Sequence, residues 1–588
     1  MKIGKLILAT IIVFLPISIK YLSMNFASEK PSIERYQYSL LSDPFLQLPT
    51  KNTVNVVWFT EFAGDKHWVE YGAQLKQKAI ANTTKLSRVR EDGDSQLNNN
   101  FSPQTRARNI WRHEATVTGL ICDQPIPYRV KSMQDKKTIT SHTFTLASNP
   151  TPNKALKILL TSDHQLMPMT TANLSKVVET VDRLDAVFFP GDLVNVPDRA
   201  SEWFDDLAGG AFFPALQGRG NYELERDGIK TIYRGGEIIQ HAPLFTAIGN
   251  HEVMGQKSQP TLKQEFNNPL PRQIAAEFYQ QQAGEINPTE DDRVKQDWIK
   301  NNSFNTDTYE EIFSLPQSNT GDQRYYATTF GDIRLISLYV TNIWRKPSLA
   351  GEEGGRYKES NDNLDDPANW GYGQHIFEPI ACGSKQYQWL EQELASLAYQ
   401  QAKYKIVMFH HPPHTLGGNI VPPYTDPQAK PYELDGKLRS LYYDYPIEND
   451  YIIRDLIPLL ESAGVQLVYY GHSHLWNRFQ SKSGMHFLES SNVGNSYGAH
   501  LGDNKRLIPT YSPKNFAATG NPNGLDPIVP NIAPLIDAKG QPLPYIASND
   551  ITVFSIFNTS TGTVSSYRYD THKPNSDVVK FDEFKLQQ

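Results

Sequence analysis

The sequence predicts a strand-only N-terminal segment followed by a larger α/β domain. Three observations carry this reading. Short β-branched and aromatic runs, separated by polar turns, occupy residues 32–150. The segment Asn149-Pro150-Thr151-Pro152-Asn153 then reads as a linker. Beyond it, compact apolar runs alternate with amphipathic helical patterns, the mark of layered α/β architecture. A chain of 588 residues has room for both parts and for a sizeable core.

The first residues stand apart. Lys2 and Lys5 precede an apolar stretch from Leu6 to Ile19, and Lys20 closes it. This is shorter than the roughly 20 residues a spanning helix needs, and it reads as a targeting segment over residues 1–27. No clean small-x-small cleavage site follows, so a cleaved signal peptide and a retained N-terminal anchor both stand. In either case the body is exported: secreted, periplasmic or attached at the outer face of the membrane.

The N-terminal strands are Thr53 to Thr60 (TVNVVWFT), His67 to Tyr71, His113 to Leu120, Tyr128 to Ser132 and Ser141 to Ala147. Several short strands in about a hundred residues predict a β-sandwich. Lys85 to Arg108, rich in Asn, Asp and Ser, reads as a long surface loop. The net charge of −7 is mild, and no basic cluster points to nucleic acid or an anionic membrane surface. Cys122 and Cys382 are too few for a disulfide framework or a thiolate metal site and read as unpaired.

After the linker, Leu156 to Thr161 is a strand. A helix follows with Leu174, Val177, Val178 and Val181 on one face. Strands are expected at Ala186 to Pro190, Leu244 to Ile248, Tyr404 to Phe409 and Gln466 to Tyr470. Further strands are expected at Arg324 to Phe330, Ile333 to Val340, Phe487 to Ser490 and Ile551 to Asn558. Ser384 to Leu397 is helical, with Leu390, Leu394 and Leu397 on one face. Tyr451 to Ala463 is helical, with Gly464 as its C-cap. Met254 to Thr320 and Gly502 to Tyr545 read as irregular. No internal repeat is present.

Chemistry gathers at the strand ends. Five strands finish in Ser162-Asp163-His164-Gln165, Gly191-Asp192, Gly249-Asn250-His251-Glu252, His410-His411-Pro412 and Gly471-His472-Ser473-His474. Carboxylate, amide oxygen and imidazole are the donors that a pair of hard or borderline divalent ions takes. Open α/β sheets place their sites at strand C-termini. Each piece alone is weak: a lone His after a buried strand is more often structural, and a Gly-Asp there is usually a turn. Five in order are not coincidence.

These motifs resemble the calcineurin-like metallophosphoesterases over about Leu156 to Ser490. The VVWFTEF, HWVEYG and ATVTGL segments resemble the fibronectin-like N-terminal domain of purple acid phosphatases. The resemblance implies a four-layer α/β/β/α sandwich over residues 154–575, preceded by an all-β fibronectin-like sandwich over residues 32–150. It implies that Asp192 bridges two ions, that Asp163 and His474 bind one, and that Asn250, His410 and His472 bind the other. It implies that His251 is no ligand but faces the substrate, assisting phosphate binding or leaving-group protonation. His411 and His414 have no matched role and read as rim or structural histidines.

Two departures matter. The family's Asp-x-His is here Asp163-His164-Gln165. On an extended segment Gln165 points to the side of Asp163 and His164 points away. Gln165 then ligates through its amide oxygen, or a water fills the place, or a twisted loop lets His164 substitute. The tyrosine that binds iron in purple acid phosphatases is replaced by Asn195, so no tyrosinate–iron colour is expected. The cofactor is two divalent or mixed-valence ions of Fe, Mn or Zn, with an oxygen donor at Gln165 favouring Mn or Fe.

The implied function is an exported phosphatase of acid-phosphatase type. It hydrolyses small phosphate monoesters through a hydroxide bridging the two ions. The alternative is a phosphodiesterase or nucleotide pyrophosphatase on the same site, and the third reading is an inert cell-surface binding protein. Arg219, in the insert before Asn250, reads as a surface-loop residue. The segment after Glu252 reads as a lid or specificity wall. Substrate identity and oligomeric state lie beyond the sequence.

Overall fold

The unbroken apolar run VNVVWFT becomes strand Val54–Thr60 because both of its faces are covered. Val54, Val56 and Trp58 enter a core shared with Val69, Tyr128 and Val130, while Val57 and Phe59 enter a different, larger core. Successive side chains of a strand point to opposite faces, so a strand buried on both sides shows no polar alternation. The computed structural model describes residues 39–97, 104–257, 260–345 and 355–587. The targeting segment at residues 1–27 lies outside them.

The first core is enclosed by two antiparallel sheets. One has the order Phe45–Gln47, Val54–Thr60, Trp111–Val117, Asn82–Lys85. The other has the order Lys137–Thr140, Ile126–Gln134, Lys66–Tyr71, Gln77–Ile80, with Phe144–Leu146 also pairing Ile126–Gln134. The buried indole of Trp58 donates to Ser132 Oγ across the two sheets at 3.0 Å.

The larger core lies between two further sheets. One runs Leu244–Thr246, Ala186–Phe189, Lys157–Leu160, Ile551–Asn558, Thr563–Asp570, Val579–Lys585. Its first three strands are parallel and the rest antiparallel. The sheet therefore continues past the expected limit at residue 575. The other runs Tyr326–Phe330, Ile333–Ser337, Tyr404–Met408, Leu467–Tyr470, His486–Ser490, Trp476–Gln480, Tyr545–Ile546. The sheets meet through apolar and polar contacts alike: Tyr404 edges onto Phe557 at 5.0 Å, and Tyr326 donates to the Thr246 carbonyl at 2.8 Å.

Helices cover the outer faces. In Thr170–Thr180, Leu174 and Val177 are buried, and Asn173 Nδ2 donates to Thr552 Oγ1 and the Val553 carbonyl, both at 2.7 Å. Val178 is partly exposed, so the apolar stripe is narrower than its spacing predicts. On the second sheet, Ser384 caps Lys385–Leu394 by accepting from the Tyr387 N–H. Leu390 and Leu394 are buried but Leu397 is 76 % exposed. The helix stops at Leu394 and a new one, capped by Ser396, starts at Leu397, which breaks the phase of the stripe.

Two expectations need correction. The described parts of 85–108 are no free surface loop: Glu91 and Asp92 are buried and bonded to the α/β part, to Ser201 and Arg199. Polar residues are buried here because their charges are paired. Met254 to Thr320 is not irregular either. It holds helices Leu262–Phe266, Arg272–Ile286, Asp292–Asn301 and Asp307–Ile312. Arg272–Ile286 buries only Ala275 and Tyr279, and Asp292–Asn301 buries nothing, so neither writes an apolar stripe into the sequence. Both cysteines are unpaired, as expected. Among the described residues no helix is long and apolar enough to cross a membrane.

Candidate metal centre

The strand ends deliver the expected side chains to one place through strained turns. Asp163, Gln165, Asp192, His472 and His474 all have positive φ, between 44° and 79°. Such backbone costs about 1–3 kcal/mol per residue, and it persists only where the surroundings over-determine it. The segment Asp163-His164-Gln165 is therefore not extended, although it sorts its side chains as an extended one would. Two glycines make the convergence sterically feasible. A Cβ on Gly249 would overlap Asp192 Oδ1, and one on Gly471 would overlap Asp163 Oδ2.

Two groups of donors result. Asp192, His410 and His472 offer atoms within 4.8 Å of one another, and so do Asp163, Asp192 and His474. Asp192 belongs to both. His410 Nε2 lies 3.1 Å from Asp192 Oδ2, 3.0 Å from His472 Nδ1 and 3.1 Å from Asn250 Oδ1. His474 Nε2 lies 3.3 Å from Asp163 Oδ1. Every one of these residues is buried. Burial opposes charge on His410, but the Asp192 carboxylate overrides it and pushes the imidazole well up. His472 is pushed down by burial and by the neighbouring His410.

Two of the three donor imidazoles have their other ring nitrogen fixed from behind. His410 Nδ1 donates to the Pro190 carbonyl at 2.9 Å and His474 Nδ1 to the Asn495 carbonyl at 3.0 Å. Such partners set tautomer and ring orientation. The protonated Nδ1 leaves Nε2 free to face an ion.

Gln165 reaches the cluster, but with its amide nitrogen rather than the oxygen expected to ligate. Its Nε2 donates to Asp192 Oδ2 at 3.1 Å, and its Oε1 accepts from Asn495 Nδ2 at 2.9 Å. His164 does not. It is buried beside Phe189, with Nε2 2.9 Å from Thr161 Oγ1, and burial pushes it down to about 3. Asn195 also faces away: its Nδ2 donates to the Gln165 carbonyl at 2.6 Å. His251 is partly exposed beside the cluster, with Nε2 4.0 Å from Asp192 Oδ2 and Nδ1 donating to the Asn195 carbonyl at 2.7 Å. His411 and His414 are buried rather than on a rim. The His411 ring packs on Tyr424 and His472, and His414 bonds Asn521. Arg219 is away from the cluster, 3.6 Å from Asp43.

Sequence reasoning missed three supporting residues. Glu252 accepts the backbone N–H groups of Gly249, Asp192 and Leu193 at 2.7–2.8 Å, tying two donor-bearing loops together. Glu489 accepts from Ser473 N at 2.8 Å and Thr415 Oγ1 at 2.7 Å, fixing the turn between His472 and His474. Asn495 joins Gln165 to His474. Only Glu252 had a signal, its place at the end of Gly-Asn-His-Glu. The others come from distant positions whose proximity is tertiary.

A support also reaches His251 from the N-terminal segment. Asp92 accepts from Arg199 at 3.1 Å and from the Leu262 N–H at 2.9 Å. Arg199 pairs with Glu202 at 2.8 Å, and Glu202 accepts the N–H groups of Asn195 and Val196. Leu262 begins the helix whose Phe266 ring lies 4.9 Å from the His251 ring. Both supports of His251, the Asn195 carbonyl and Phe266, thus trace to Asp92.

Residues 156–475 match the family model for the calcineurin-like phosphoesterases. No curated protein matches the chain. Among solved structures, the chain is similar to the purple acid phosphatase PPD1 isolated from yellow lupin (Lupinus luteus) seeds. The identity is 14 %, the match covers 92 % of this chain and 73 % of that one, and the TM-score is 0.50. At that identity the likeness speaks for the fold.

Proposed function

Because this chain belongs to the calcineurin-like phosphoesterases, and is thereby a metal-dependent phosphoric ester hydrolase, we propose that it is an exported phosphomonoesterase of acid-phosphatase type with a dinuclear centre. The observation that carries the reading is the sharing of Asp192 by two separate donor groups. The donor set fits two ions. Asp163, Asp192 and His474 would hold one, with Gln165 beside them. Asp192, Asn250, His410 and His472 would hold the other. Carboxylate, amide and imidazole together suit Fe, Mn or Zn. When bound, such ions supply Lewis-acid activation of water and neutralise phosphoryl charge.

The chain's own residues do the rest. Glu252 and Glu489 hold the donor loops against the strain of their backbones. His251 has its Nδ1 proton fixed by the Asn195 carbonyl. Its Nε2 is on the side of Asp192, accepting a hydrogen bond when neutral and able to donate one to a phosphoryl or leaving oxygen when cationic. Burial pushes the His251 pKa down and the Asp192 carboxylate opposes that shift.

The test combines metal analysis with two chromogenic substrates. The purified exported part should retain about two ions per chain, the stoichiometry of a two-metal site. It should hydrolyse nitrophenyl phosphate faster than the bis-nitrophenyl ester. A strong preference for the bis-ester overturns the monoesterase reading. Retention of one ion or none overturns the dinuclear centre. Absence of turnover with any of the three metals leaves the inert binding protein.

A further inference from the structure

Beside the metal centre lies a pocket of about 320 Å³, in the size range of small-ligand sites. It touches the donor turn directly. Tyr497, in its wall, stacks on the His474 ring at 4.9 Å. Asn419, also in its wall, donates to the His472 carbonyl at 2.7 Å. A group entering here sits next to whatever the His472–His474 turn holds.

The walls are chemically one-sided. Trp344 and Tyr497 lie nearly parallel, 14° between planes and 6.2 Å between centroids, and present flat aromatic surface. Tyr497 is 58 % exposed and Leu507, on the same pocket, 64 %. Both side chains leave apolar surface open to this cavity. The charged groups are all cationic: among the described residues lining the pocket there is no carboxylate, but Arg356, Lys505 and Arg506 are present. Arg506 is spent on the carbonyls of Gly417 and Gly520. Arg356 is buried, donates to the Val421 carbonyl at 2.8 Å and also to the Arg345 carbonyl, and keeps an unpartnered Nε. Lys505 is exposed at the rim.

Flat aromatic walls, a cationic surround and contact with the metal-donor turn call for one occupant: a planar ring joined to an anion. We propose that this pocket is the leaving-group subsite, selecting phosphate monoesters whose alcohol carries a planar aromatic ring, with nucleoside monophosphates as the chemical class. The inference rests on the monoesterase reading above. The ring stacks on Trp344 and Tyr497, while the phosphate lies at the donor clusters. Stacking of a base on an aromatic side chain is tolerant of base identity, because every base offers a π face. Discrimination among bases is accordingly weak.

The test uses two substrates with the same leaving alkoxide, adenosine 5′-phosphate and ribose 5-phosphate, on the metal-loaded full chain. Intrinsic reactivity then cancels and only the base differs. The ratio of their kcat/KM values should favour the nucleotide by about 10- to 100-fold, the size of a base-stacking contribution. Trp344→Ala should lower that ratio about tenfold, mainly through the KM of the nucleotide. Tyr497→Leu, checked for retained metal because of the His474 contact, should do the same. A general loss of folding or metal lowers both rates and leaves the ratio in place. A wild-type ratio near one overturns the proposal while the monoesterase reading stands. So does a ratio that neither substitution changes. Failure to hydrolyse either monoester, with the bis-ester still cleaved, overturns both readings together.

Discussion

Asn195 occupies the position where the resemblance places a metal-binding tyrosine, and its amide instead closes on the Gln165 carbonyl. An iron-loaded sample should therefore show no tyrosinate charge-transfer band in the visible spectrum; such a band would contradict this assignment. Glu252 carries a second residue-scale prediction. Glu252→Gln replaces an acceptor of three N–H groups by an amide that can accept on one side only. Metal affinity should fall by about 10- to 100-fold, as for other groups that orient donors from behind. Titration with each metal, followed by activity, reads this directly. Affinity equal to that of the wild type would remove Glu252 from the support of the site.

Between elements, the decisive connection is that of the 88–92 segment with the turn after Asp192. Asp92 is fully buried and Arg199 nearly so. Removing one partner of such a buried pair costs about 3–5 kcal/mol. Asp92→Ala should lower the urea unfolding midpoint by the corresponding amount. It should also lower kcat for monoesters, because the Asn195 carbonyl and Phe266 that hold His251 lose a common anchor. Unchanged stability and unchanged kcat would show that this chain of bonds is idle. The same scale explains what the sequence hid. Helices Arg272–Ile286 and Asp292–Asn301 are solvated on most sides and leave no stripe to read. Two hairpins, Tyr222–Arg226 with Ile229–Tyr233 and Gln428–Leu434 with Lys437–Asp444, turn on Asp227-Gly228 and Asp435-Gly436. Asp-Gly between two strand-like runs is a strong hairpin signal, yet neither hairpin is among the elements expected from the sequence.

At the scale of the molecule, the N-terminal sandwich is not a bead on a linker. Phe45 and Phe59 reach into the larger core, with ring centroids 5.0 Å from Phe213 and 4.9 Å from Phe204. Asn149 and Asn153, in the linker, bond to Thr329 and Asp332. Each buried aromatic of this kind contributes about 1.5–3 kcal/mol. Deleting residues 39–150 should expose Phe204, Phe213 and Phe313 together and give an insoluble or aggregated chain, judged by size-exclusion chromatography. A soluble, monodisperse, metal-binding fragment would show that the two parts are energetically separable.

The sequence alone determined the layered α/β class and the strand ends that bear donors, because periodicity and short motifs are local properties of the chain; it left Gln165 and His164 as alternatives, and the turn at Asp163 and Gln165 decided between them. The sequence could not determine that Glu489 and Asn495 brace the donor turns, that Asp92 anchors the surroundings of His251, or that Trp344 and Tyr497 form one wall. Those residues are brought together only when the sheets pack. Burial then decides which polar groups must be paired, and so which seemingly loop-like charges become structural.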